Sequence, residues 1–553
     1  MWKEVLLMSQ KSVGLPESDP HDQGLLPSIS HQVMFQGTRN DARDALVHYL
    51  AKLQERQAVV VTLSTASEEA ATFAAQARVE VPDVGEVILS VCEPATPPYA
   101  DAHSYVAALT VIDSSPGADA DAARALFDAL NALPLTSLEL ASVRRQFPLT
   151  QQLAASCGPQ ALAGHTYFMA IHHMTDFVAM MDALRAMGAD PRHITVLDKG
   201  YPYTQRHRVD GWLRDSLGVH VALYPDRVAS AGAHIERARA AGLKTMIFDD
   251  GGYLWPVVAE HYPDAMGEFS GVVEQTMSGI WKLEGVQLPI PVFSVAESQI
   301  KATIESYGVA TAAVRSIMTR LPHEKFEGRP ALVVGYGRIG RQVAHVLRTL
   351  RMRVAVYDHK TVALIAAHEE GFATSRSLTS LIESHQPLLL IGAGGRGSLR
   401  GEHVSAFRKS CYLASTTSRT YEFALDEFAT AARSVRDYGR LGHGYLLGND
   451  IELCVIGHGM PVNFYHAESL PNRYVDLIIS SLLLGGVVLA QPDRGGFAPG
   501  HNLDLTNKIL NTSSALKTYY DWYVEPSAQR DLLTPGESAP EFQAVPWTFP
   551  PRL

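Results

Sequence analysis

Two doubly wound parallel-sheet α/β domains with a smaller α/β domain in front of them are what this sequence predicts, on three observations. Short apolar runs alternate with helical stretches from about residue 160 onward, which implies parallel strands covered by helices. One of these runs leads straight into a G-x-G-x-x-G turn. The length of 553 residues exceeds what a single hydrophobic core serves, so several domains are expected.

Along the chain, residues 1–30 hold Gly, Pro, Ser and Asp with little periodicity and read as a loose leader. From about 31 to 150 a helical segment, Asp41 to Leu53, alternates with strand-like runs at Ala58 to Leu63, Glu86 to Val91 and Tyr105 to Ile112. This is a small α/β domain in which no catalytic motif is recognised. Buried strands are expected next at Phe168 to Ile171, Ile194 to Leu197, Val219 to Tyr224 and Lys244 to Phe248. A second series opens at Ala331 to Val334 and continues at Arg353 to Tyr357, Leu388 to Ile391 and Cys411 to Ala414. The longest apolar stretch, Val475 to Ala490, carries Asp476, two serines and two glycines. It falls short of the roughly 20 apolar residues that a spanning helix needs and reads as a buried helix.

Composition narrows the function classes. Hydrophobic residues make up 46% and charged ones 19%, as in an ordinary globular protein. The net charge of −11 comes without a basic stripe, which argues against nucleic acid or an anionic membrane as partner and favours a small molecule. Cys92, Cys157, Cys411 and Cys454 are far apart, with no C-x-x-C pair and no nearby His cluster, so neither a disulfide framework nor a structural zinc site is expected, and no metal is assigned. No signal-peptide core is recognised near the start, and a cytoplasmic location is the expectation.

The turn is Gly335-Tyr336-Gly337-Arg338-Ile339-Gly340. It follows the strand-like Ala331 to Val334 and precedes a helix whose apolar face is Ile339, Val343, Val346, Leu347 and Leu350, the full context of a Rossmann dinucleotide site. Glycine is needed here for the tight turn, for close approach of the backbone to a pyrophosphate and for close helix-to-strand packing. The helix N-terminus supplies unpaired N–H groups to the phosphates. Asp358 ends the next strand, where a carboxylate accepts from the adenosine ribose and repels a 2′-phosphate, so NAD is the expected cofactor.

Further segments fall in a telling order: Ile171-His172-His173-Met174-Thr175, Phe248-Asp249-Asp250-Gly251-Gly252, Gly271 to Gly279 (GVVEQTMSG) and, after the Rossmann unit, Gly459-Met460-Pro461-Val462-Asn463. Together they resemble the S-adenosylhomocysteine hydrolase family across about residues 160–490. The resemblance implies a substrate domain at 151–304 rejoined by 467–553, an NAD domain at 305–466, and a homo-oligomer. It also implies NAD-dependent oxidation of a ribose hydroxyl that enables elimination, with the hydride later returned. By the same resemblance His173 and Asp250 are acid/base groups, Lys301 and Glu305 stand beside the nicotinamide, and Thr276, Arg338, Ile339, Gly392 and Asn463 join the glycines and Asp358 around NAD. Ile300 competes with Lys301 for the lysine position, because the spacing to Tyr307-Gly308 differs from the family's by one residue. Asp250 could instead cap a helix or hold the Gly251-Gly252 turn, but the resemblance favours a site role.

Departures from the family fall on its catalytic and substrate positions. Gln275 replaces a carboxylate, Val309 a cysteine and Ser418 a histidine; His466 lies near a missing Gly-His-Pro, and the C-terminal tail differs. Three functions are therefore carried forward: NAD-dependent hydride chemistry on a hydroxyl of a nucleoside-like or other polar small molecule, genuine S-adenosylhomocysteine hydrolysis with relocated groups, and an NAD-binding pseudoenzyme or scaffold.

Overall fold

Three separate sheets organise the chain in the computed structural model, which describes residues 30–65, 73–93, 104–114, 120–286, 288–417, 422–448, 450–467, 470–491 and 496–525. The expected leader at 1–30, Ser418 and the C-terminal tail lie outside the described residues, save Ser30 at the leader's end.

The first sheet belongs to a unit of its own, formed by residues up to Arg145 together with Gln205–Val219. Its strands are β1 (Ser30–Gln36), β2 (Val59–Thr65), β3 (Ala74–Val81), β4 (Gly85–Cys92) and β5 (Ser104–Ser114), in the order β1-β5-β4-β3-β2 and antiparallel throughout. Alternate residues of β3 and β4 are buried, and the helix Arg39–Gln54 covers that face with Ala42, Leu46, Tyr49 and Leu53. Gln205–Val219 joins this unit, although the sequence reading placed it with the substrate domain. The reason is Arg208, 1% exposed, whose guanidinium pairs with Glu139 at 2.5 Å and donates to the carbonyls of Leu133 and Pro134. A buried arginine must be fully paired to be tolerated.

The second unit holds two sheets, one parallel and one parallel except at its edge. One has β6 (His165–Ala170), β7 (Ile194–Asp198), β8 (His220–Leu223), β9 (Lys244–Asp249), β10 (Phe269–Glu274) and β11 (Pro291–Ser294), ordered β11-β10-β9-β6-β7-β8, with the short strand Gly500–His501 added beside β11. The other has β12 (Pro330–Val334), β13 (Arg353–Tyr357), β14 (Ala373–Thr374), β15 (Leu389–Gly392), β16 (Cys411–Ser415), β17 (Ser434–Asp437), β18 (Gly442–Leu446) and β19 (Glu452–Ile456), ordered β14-β13-β12-β15-β16-β19-β18-β17. At its edge β18 runs antiparallel to β17 and β19. In each sheet the first strand is central and the order reverses on either side of it. Doubly wound sheets bind ligands at the carboxyl ends of the strands flanking that reversal.

The apolar stretch read as a buried helix is Asn472–Ala490, buried from Tyr474 to Leu489 with few interruptions. Gly485 and Gly486 are required where it crosses the first parallel sheet, because a β-carbon there would meet Phe293 at 2.7 Å and Phe248 at 2.6 Å. Asp476 on this helix accepts the N–H groups of Leu149 and Thr150, the first turn of the helix Pro148–Cys157, each at 2.9 Å. A buried carboxylate thus satisfies donors that a helix start leaves unpaired.

Candidate active site

The cleft between the two sheets of the second unit encloses about 1410 Å³, and the glycine turn forms one wall. β12 ends at Val334, Gly335 takes φ 102, and a β-carbon on it would meet the Ala393 backbone at 2.6 Å. Gly340 sits so close beneath that a β-carbon would lie 1.9 Å from the Gly335 carbonyl oxygen. Gly337 has open space where its side chain would be and lines the cleft. The three glycines therefore serve turn, packing and approach, as the motif requires. The helix Arg338–Thr349 starts here with Val343 and Leu347 in the core and Ile339, Val346 and Leu350 packed against it.

Asp358, 8% exposed, lies just past β13, where its carboxylate accepts the N–H of Tyr336 at 2.7 Å and of Lys360 at 2.8 Å. Ile339 and Thr276 line the same cleft, and Arg338 lines it while its guanidinium donates to the Ala296 carbonyl at 3.0 Å. Asn463 is 2% exposed and faces the cleft, and its Oδ1 has no hydrogen-bond partner among the described residues. An unsatisfied buried carbonyl is costly unless a ligand completes it, so Asn463 and the open glycine turn together fit a dinucleotide. Gly392 is a correction. It lies inside β15, where a β-carbon would strike Glu422, and Ala393-Gly394-Gly395 line the cleft instead.

Across the cleft, the strand ends β6, β7, β9 and β10 bring charged groups together. Asp249 and Glu274 are fully buried, and burial raises both carboxyls above the usual range. Asp249 accepts from the N–H groups of Tyr253, Leu254 and Trp255, and Glu274 from those of Gly251, Gly252 and Thr276. These two carboxyls hold the turn, and Asp250 is left to serve the cleft. Its Oδ2 lies 2.8 Å from Lys199 Nζ and 2.8 Å from His172 Nε2. Burial opposes ionisation, but Lys199 and His172 outweigh it and hold the Asp250 carboxyl well below the carboxylate range. The imidazole of His172 is pushed down to about 4 by burial and then by Lys199, so it is neutral near pH 7. It also contacts the Tyr203 hydroxyl and stacks on Phe464 at 4.1 Å between centroids.

His173, the residue the resemblance selected, is 0% exposed, stacks on Phe177 and does not line the cleft. Adjacent residues beyond a strand point to opposite sides, so one position decides which histidine meets the ligand. The sequence reading missed His172, Lys199 and Tyr203. The available signal was Asp198-Lys199-Gly200, charge directly after a buried strand. Likewise His466, pushed down to about 4 by burial, does not line the cleft.

Lys301 lines the cleft, donates to the Gln275 carbonyl at 2.8 Å and pairs with Glu305 at 3.1 Å. Ile300 is 2% exposed and does not line it. The turn Lys301–Glu305 is π-helical, a geometry that shifts helix register by one residue. It falls where this sequence and the family pattern differ by one. Burial raises the Glu305 carboxyl, with Lys301 opposing.

Residues 305–393 match the model of the D-isomer specific 2-hydroxyacid dehydrogenase NAD binding domain. An uncharacterized protein of Mycobacterium tuberculosis strain H37Rv is 28% identical over 331 residues, 58% of this chain and 62% of its own; the chain thus spans less than two thirds of that relative. The adenosylhomocysteinase of Gloeothece citriformis is 24% identical over 338 residues, 60% of this chain and 76% of its own. That of Thermosynechococcus vestitus is 23% identical over 378 residues, 67% of this chain and 86% of its own. The chain is a divergent relative of the adenosylhomocysteinases. Its cofactor is NAD. Gly335, Gly337, Ile339, Asp358 and Asn463 line the same cleft as Asp250, Lys301 and Glu305.

Proposed function

We propose that this NAD-dependent enzyme oxidises a secondary hydroxyl of a polar, nucleoside-like small molecule. The observation that carries the reading is the opening of two proton-handling groups, Lys301 with Glu305 and Asp250 with His172, onto the cleft that the glycine turn borders, with Lys199 paired to Asp250 behind it. NAD supplies the hydride acceptor. Lys301 takes the hydroxyl proton, and the neighbouring Glu305, whose carboxyl burial raises, holds the proton that Lys301 must first give up. Asp250, kept ionised by Lys199, accepts from or orients a second polar group of the substrate, while neutral His172 donates to it. Thr276, Arg338 and Asn463 position the cofactor end, and the His172–Phe464 stack helps to exclude water.

Adding nucleosides and other polyols to NAD-loaded protein, and following absorbance near about 340 nm, tests the reading through reduction of the bound nicotinamide. Reduction by a nucleoside-like hydroxyl supports it. Absence of reduction across such compounds, with NAD bound, would leave the pseudoenzyme in its place. A second reading, hydrolysis of S-adenosylhomocysteine, is favoured by the Asp250–His172–Lys199 group, since elimination needs a proton carrier besides the one at the hydroxyl. Release of both adenosine and homocysteine from S-adenosylhomocysteine would establish it. We extend the proposal to a homo-oligomer, which the mass of the purified protein in solution tests.

A further inference from the structure

We propose that Asp437, His443 and His458 form a zinc-type divalent cation site whose occupancy fixes the loop carrying Asn463 into the cleft. The fold brings these residues together from three places. β17 ends at Asp437, the antiparallel register sets His443 of β18 directly opposite it, and β19 returns to the turn Gly457-His458-Gly459. One candidate ligand atom from each residue lies within 4.8 Å of the other two. His443 Nε2 is 3.9 Å from Asp437 Oδ1, and the two imidazole rings meet edge to face with centroids 4.4 Å apart.

Two imidazoles and a carboxylate are a donor set suited to zinc, with a position left for water. Tetrahedral bonds of about 2.0–2.1 Å set neighbouring donor atoms roughly 3.4 Å apart. The observed spacing therefore needs only a small inward rotation, and Asp437 is exposed enough to make it. His458 adopts φ 56 and ψ 26, between Gly457 at φ 61 and Gly459 at φ 80. A residue with a β-carbon enters that left-handed region seldom, and here it points the imidazole at His443. Gly439 N–H also donates to Asp437 Oδ1 at 2.8 Å. Outer contacts of this kind orient metal-binding side chains.

The same loop continues from His458 through Met460 and Pro461 to Asn463 and Phe464, which line the cleft. Its inner end is held by Val462, whose N–H donates to Ser415 at 3.0 Å and whose carbonyl accepts from Ser316 at 2.6 Å. A cation at His458 would pin its outer end, so that both ends are fixed while Asn463 is presented.

Zinc chloride titrated calorimetrically into chelator-treated full-length protein, with Co(II) absorbance as the check on geometry, tests the site. The expected result is one tight zinc ion per chain, weakened at least about tenfold by His443→Ala and by His458→Ala. Hydrogen exchange of the peptide spanning Gly457–Phe464 should slow on adding zinc to the natural protein and stay unchanged in His443→Ala. With 22 histidines in the chain, weak zinc binding elsewhere is expected, so the difference between proteins is what decides. Equal zinc affinity in the natural protein and the His443→Ala/His458→Ala double variant would overturn the proposal. So would loop exchange that zinc slows equally in both.

Discussion

The cofactor wall and the substrate wall of the cleft were built from different kinds of sequence information. The cofactor wall rests on backbone: within six consecutive residues, Gly335 and Gly340 are fixed by steric limits and Gly337 stands open to the cleft between them. The substrate wall rests on side chains from distant strand ends, with His172, Lys199 and Asp250 following β6, β7 and β9. The lesson is that a backbone cradle tolerates little change, whereas a side-chain constellation can be reassembled from neighbouring positions while the strands stay in place. The exchange of roles between His173 and His172 is the smallest such reassembly.

If the walls are separable, Lys301→Met should leave NAD bound and lower its reduction by substrate about 1,000-fold, near 4 kcal/mol of barrier; rapid mixing at saturating cofactor measures it. An equal loss of NAD affinity would mean that Lys301 belongs to the cofactor wall. Asp250→Asn is expected to lower unfolding stability by about 3–4 kcal/mol, because it strips the counter-charge from the buried Lys199. Urea titration reads that loss, and NAD affinity should change little once the protein is folded.

A pH effect of about 3 kcal/mol or less sharpens the contrast further. The folded His172 titrates near 4 against an ordinary value of 6.5, so the unfolded chain binds its proton first as pH falls. The stability contributed by neutral His172 is therefore present above about pH 6.5 and is lost as pH falls toward 4. Denaturation midpoints across that window should fall less steeply in His172→Gln. An unchanged slope would show that His172 is not held neutral.

Much of the fold was legible because buried parallel strands read as apolar runs. Arg353–Tyr357 matched the expected span, β7, β9, β12, β15 and β16 fell within a residue of theirs, and β6 began three residues earlier than expected. β3 was not legible, since its inward face is Ala75, Ala77, Val79 and Val81 and its outward face is polar, leaving little hydrophobic contrast. β11 was passed over as a strand because it is only four residues long, and β10 because it carries Gly271 and a terminal glutamate. In the site, the glycine turn and Asp358 could be read locally. The Lys199–His172–Asp250 group could not, because it exists only once three strands are in register. Asp250 was legible as a residue but not in its role, which depends on Asp249 and Glu274 taking over the turn.

Separation of the two walls is tested most directly by NAD calorimetry on the natural protein, Lys301→Met and Gly337→Val. Gly337 has room for a side chain within the protein and an ordinary φ of −78, so the valine should fold normally yet stand where the pyrophosphate must approach. The account predicts that Lys301→Met binds NAD within about threefold of the natural protein and that Gly337→Val loses at least about a hundredfold, near 2.7 kcal/mol. Undiminished NAD binding by a folded Gly337→Val protein would contradict it.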